Sequence, residues 1–96
     1  MLEANNTEVP MRWPQEELTV AGRILASAAT LREAAEQLRA RYAPMRTAVL
    51  DAAELREESP ALRAGRRALF FASSDGHCWA LTQQAEAAQL LILTEE

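Results

Sequence analysis

RALFFASSDGHCWALT, residues Arg67–Thr82, is the stretch whose reading decides the fold. An apolar run, Ala68–Ala72, leads into Ser74-Asp75-Gly76, and a second apolar stretch follows through Trp79 and Leu81. Asp-Gly tolerates the positive φ angles of a type I′ turn, so the pattern predicts a hairpin with strands over Arg67–Ser73 and His77–Thr82. With Asp75-Gly76 as a two-residue loop, Ala72 would oppose Trp79 and Phe70 would oppose Leu81. Side chains alternate across a strand. One face then collects Phe70, Ala72, Trp79 and Leu81, and the other collects Leu69, Phe71, Cys78 and Ala80.

The segments before the hairpin read as helices. Leu18, Ala21, Leu25 and Ala28 recur at three- to four-residue steps, a helical spacing, although β-branched Thr19, Val20 and Ile24 leave a strand as the competing reading. Pro14 suits a first helical turn, and Glu16 and Glu17 complement the positive end of the dipole. Thr30-Leu31-Arg32-Glu33 is a capping box that starts a second helix at Leu31. Its apolar stripe is Leu31, Ala34, Ala35, Leu38 and Tyr42, and Pro44 ends it. Arg46–Leu50 reads as a short strand and Asp51–Arg56 as one helical turn. Residues 57–65 read as a loop and Gln89–Thr94 as a last strand.

Helices precede strands, which predicts an α+β fold: a two-layer sandwich with two N-terminal helices on a small, mainly antiparallel sheet of three to four strands. Residues 1–13 read as a flexible tail and residues 14–96 as a single domain. The expected core is Leu18, Leu25, Leu31, Leu38, Val49, Phe70, Trp79, Leu81, Leu90 and Ile92.

In the last strand Leu90 and Ile92 take one side and Leu91 and Leu93 the other. Both faces of the sheet are therefore apolar, whereas an antiparallel sheet commonly keeps one face for water. Two helices cover one face. The reading leaves Leu69, Phe71, Ala80, Leu91 and Leu93 as a protein interface, unless the Trp13 arm or the 51–65 segment folds over it. The expected partner is another protein or a second copy of the chain.

Composition narrows the function classes. The chain has 96 residues, 49% of them hydrophobic, with ten arginines, no lysine and fourteen acids for a net charge of −4. Mild acidity argues against non-specific binding to nucleic acid or anionic lipid. A helix-turn-helix reading would use Arg32, Arg39 and Arg41, but Glu33 and Glu36 interleave with them. The Arg63, Arg66 and Arg67 group is the best basic patch, yet it reads as a solvated strand end. The acidic cluster Asp51, Glu54, Glu57 and Glu58 reads as a solvated loop face. No apolar run approaches a membrane span, and residues 1–13 carry no signal-peptide pattern. A single cysteine excludes an intrachain disulfide. The expectation is a cytoplasmic protein, and the Arg-only, Ala-rich composition is associated with GC-rich bacterial genomes.

Catalysis is not expected, nor is a cofactor. His77 and Cys78 adjoin, but consecutive strand side chains point to opposite faces, and no second histidine could serve as a base. Two Cys/His residues fall short of a structural zinc set. The alternative to a non-catalytic accessory or adaptor domain is a small-ligand or metal-binding module using Asp75, His77 and Cys78.

The stretch from Phe70 through His77-Cys78-Trp79, Leu81-Thr82 and Ala87 to Leu93 resembles short uncharacterised proteobacterial proteins encoded near nitrogen-fixation genes. That resemblance implies an accessory protein for a metalloenzyme system.

Overall fold

The computed structural model describes residues 15–74 and 78–96. The expected tail over 1–13, with Trp13, lies outside them, as do Asp75, Gly76 and His77.

Two helices come first, α1 (Gln15–Ser27) and α2 (Leu31–Arg41). The apolar spacing of α1 outweighs its β-branched residues because Ala21, Leu25 and Ala28 all reach the core. Thr30 has extended backbone, and its Oγ1 accepts from the Glu33 N–H at 3.1 Å, which fixes the start of α2. The Ala43–Pro44 peptide, which is cis, leads into the first strand.

Among the described residues five strands follow: β1 (Arg46–Val49), β2 (Leu62–Ala64), β3 (Arg67–Ser74), β4 (Trp79–Thr82) and β5 (Leu90–Glu95). They form one mixed, mostly antiparallel sheet in the order β1-β5-β3-β2, with β4 also paired to β3. Only β1 and β5 run parallel. β3 uses one side for β5, while its other side carries β2 along Arg67–Leu69 and β4 along Phe71–Ser74. β2 and β4 thus lie end to end, and their two ladders meet at Phe70.

The tight hairpin is not where the sequence suggested. Ala64 pairs with Arg67, so Gly65-Arg66 is a two-residue loop, and Gly65 at φ 62° supplies the left-handed backbone that primed turns require. Ser74 pairs with Trp79, which leaves four residues, Asp75 to Cys78, between the paired ends. The expected pairing of Ala72 with Trp79 is therefore shifted by two, and Ala72 faces Leu81. A shift of two keeps every side chain on its face. The division of the hairpin into two faces holds, although its loop does not.

Which face the helices cover is the main correction. Leu69, Phe71, Leu91 and Leu93 are buried with Ala21, Leu25, Ala28, Ala34, Ala35, Leu38 and Met45 in one cluster under the helices. The expected interface is thus the main core, with Ala80 its only exposed member. The opposite face forms a smaller buried cluster of Ala68, Phe70, Ala72 and Ile92, with Leu50, Leu55, Leu81 and Leu90 packed against it. Leu50 and Leu55 come from the segment after β1, where Asp51 Oδ1 accepts from the Ala53 N–H at 3.1 Å and caps a 3₁₀ turn, Ala52–Leu55. Ala68–Ala72 is buried at every position, which is why a continuous apolar run is the right sequence for β3. Of the expected core, Val49 and Trp79 are instead exposed, at 47% and 43%.

Two polar devices fasten the helices. Arg67 is 13% exposed and not a solvated strand end. Its Nη1 donates to the Leu25 and Ala28 carbonyls, both at 2.8 Å, and its Nε donates to Glu95 at 3.0 Å. The last carbonyls of a helix have no partner within it and carry the negative end of its dipole, so a guanidinium there satisfies both needs. At the other end of the helix pair, the Tyr42 hydroxyl donates to Glu17 Oε1 at 2.9 Å, and Arg41 Nη2 donates to the same atom at 3.2 Å. The hydrogen bond from Tyr42, then that from Arg41, holds the Glu17 carboxyl below the usual carboxylate range. Burial, reinforced by the bond to Glu17, pushes the Tyr42 hydroxyl up.

Candidate functional site

An opening lies on the sheet face opposite the helices, at the end where β1, β4 and β5 begin. It is a depression of about 560 Å³ lined by Pro44, Arg46, Thr47, Ala48, Ser74, Trp79, Gln89 and Leu90. Trp79 is the first residue of β4, a four-residue edge strand. Among the described residues no strand pairs with its outer side, so the ring stands at the rim although its register puts it on the same face as Ala72 and Leu81. Gln89 frames the floor. Its Oε1 accepts from the Ser74 N–H at 2.6 Å, its own N–H donates to the Ala72 carbonyl at 2.8 Å, and its carbonyl accepts from the Arg46 N–H at 3.5 Å. One residue thereby joins the end of β3 to the start of β1.

Among the described residues Arg46 is the one ionisable group in this lining. Its other described lining groups are apolar side chains, the Gln89 amide and the Thr47 and Ser74 hydroxyls. Among the described residues no group of three or more His, Cys, Asp or Glu side chains could hold a metal ion. Of the alternative ligand set, Cys78 is exposed, and Asp75 and His77 lie outside the described residues. Among the described residues no helix is long and apolar enough to cross a membrane.

A second depression, of about 370 Å³, lies on the helix side of β1 and is lined by Arg32, Ala35, Glu36, Arg39, Thr47, Ala48 and Val49. Val49 pairs with Leu93, so it belongs to the helix face, and it is exposed because α2 does not extend over the outer edge of β1. The two exposed large apolar side chains among the described residues therefore sit on opposite faces and at opposite borders of the sheet, Val49 on β1 and Trp79 on β4.

The sequence pattern puts Trp79 and Val49 in the core and gives no role to Arg46 or Gln89. The missed signal was strand length: β1 and β4 are four residues each, and residues at the ends of short edge strands lose the neighbours that periodicity assumes.

No family model matches the chain, and no curated protein and no solved structure matches it.

Proposed function

We propose that this chain is a non-catalytic interaction domain that binds another protein through the open end of its sheet, centred on Trp79. The observation that carries the reading is the exposure of Trp79, 43%, at the rim of a depression in which Arg46 is the only ionisable group among the described residues. A half-exposed tryptophan in a shallow pocket is the kind of residue that dominates binding energy at protein interfaces. Leaving it in water has a free-energy cost that a partner would recover. A cytoplasmic setting belongs to the same reading, as does the accessory role beside a metalloenzyme that the resemblance of Phe70–Leu93 implies.

Affinity capture with the tagged wild-type domain and with Trp79→Ser tests it. The expected result is a captured protein that disappears with the variant, while both forms melt at the same temperature. Equal capture by both forms overturns the proposal. So does unfolding of Trp79→Ser, because the ring would then be a structural part of the second cluster.

A further inference from the structure

The end of the sheet carries more information than the Trp79 depression alone. β1 is its outermost strand there, since it pairs only with β5. The Arg46 and Leu50 N–H groups donate to the Gln89 and Leu93 carbonyls. In a parallel ladder the alternate residues turn their backbone groups the other way. Thr47 and Val49 therefore direct N–H and C=O outward from the sheet. No bond to either pair of groups is formed by the described residues. Among the described residues β1 is thus a short open edge, the template that an extended peptide extends in strand addition.

The two depressions lie on the two faces of this same strand, and Thr47 and Ala48 line both. Their chemistry differs. The face opposite the helices offers the small Ala48 with Leu90 beyond it on β5, and the helix side offers Arg32 and Arg39 with one glutamate, Glu36. Arg32, Arg39 and Arg46 make no ion pair among the described residues. Three arginines against one glutamate make this edge locally basic on a chain whose net charge is −4. A strand laid along β1 would send successive side chains into opposite depressions.

Resting on the interaction-domain reading, we infer that β1 receives an extended segment of a partner protein in which acidic and apolar residues alternate. The apolar side chains pack over Ala48, beside the Arg46 stem, and the carboxylates lie over Arg32 and Arg39. A second copy of this chain suits the edge poorly, because two β1 strands side by side would bring their arginines together.

The test uses a fluorescent hexapeptide alternating glutamate with valine, its counterpart alternating lysine with valine, and the full-length domain. The acidic peptide should bind and the basic one should bind at least tenfold more weakly, with the difference shrinking at high salt. Val49→Pro removes one outward N–H that the fold does not use, so it should keep the melting temperature and weaken the acidic peptide at least tenfold. Arg32→Ser with Arg39→Ser should do the same without touching the strand. Equal binding of both peptides, or unchanged binding to Val49→Pro, overturns the inference. So does a wild-type dimer in sedimentation that Val49→Pro converts to monomer, which would assign the edge to self-association. If Val49→Pro still captures a protein that Trp79→Ser loses, the edge inference fails and the Trp79 surface stands.

Discussion

The two faces of this sheet are built from the same few strands and nearly the same residue types, yet they have different fates. On one face Leu69, Phe71, Leu91 and Leu93 disappear beneath two helices. On the other, Phe70, Ala72 and Ile92 are buried by short local pieces, and cover runs out at Trp79. The difference shows that apolar content does not decide which face is the core. Helices of this length need a broad, uninterrupted patch, and they settle where leucine and phenylalanine from the two central strands stand side by side. The other face mixes alanine with larger residues, and so it is closed piecemeal.

The sharpest way to break this comparison is a charge at matched aromatic positions. Phe71→Glu should unfold the domain, because an unpaired buried carboxylate costs several kcal/mol against a total stability of about 5–15 kcal/mol. Loss of far-ultraviolet circular dichroism would record it, and a folded Phe71→Glu would mean that the helices do not seal that face. Next in size is Arg67→Met, which removes the cation from the end of α1. It should cost about 2–3 kcal/mol, read as a lower urea midpoint with an unchanged slope, since charge-assisted hydrogen bonds of this kind are worth about 1.5–3 kcal/mol each way of counting.

Tyr42→Phe should cost under about 1 kcal/mol at neutral pH. Its signature is in acid. The Glu17 carboxyl has a lowered folded-state pKa, so the stability it contributes is present above its ordinary value of 4.5 and is lost as pH falls through the lowered one. Removing the hydroxyl should flatten that part of the pH–stability curve. In alkali the sign is reversed: raised above 10.0, the Tyr42 hydroxyl contributes stability that is lost as pH climbs past that value, and the phenylalanine variant lacks this loss. The smallest effect belongs to Trp79→Glu, which should shift the urea midpoint hardly at all. A loss comparable to that of Arg67→Met would place Trp79 in the core and erase the contrast between the faces.

Much of this fold was legible in the sequence because its strongest signals are local. Thr30 and Glu33 fix a helix start by themselves, and the spacing of Ala21, Leu25 and Ala28 fixes a buried stripe. Alternation along β3 divided the sheet into two faces, and that division survived a misplaced turn because the slip was by two residues. What could not be read was long-range. Nothing local says that Leu69 and not Phe70 meets the helices, since both are large and apolar in one run. β2, of three residues, is too short to show a period, so the sequence pattern of its hairpin with β3 reads as loop. The Arg67 clamp joins residues about forty positions apart, and no spacing rule reports that. The candidate site was missed for a related reason: it gathers Pro44, Arg46, Trp79 and Gln89 from strand ends that only the parallel pairing of β1 with β5 brings together.

The end-to-end arrangement of β2 and β4 has a consequence for how the protein behaves when crowded. A continuous exposed ladder is what amyloid-like growth copies, and natural sheets avoid it with short or broken borders. Here the border beyond β3 changes strands at Phe70, after only three paired residues on one side and four on the other. A foreign chain would have to satisfy two misaligned templates at once. Resistance to fibre formation on that flank therefore comes from interruption, without the lysines that many proteins place there for the purpose.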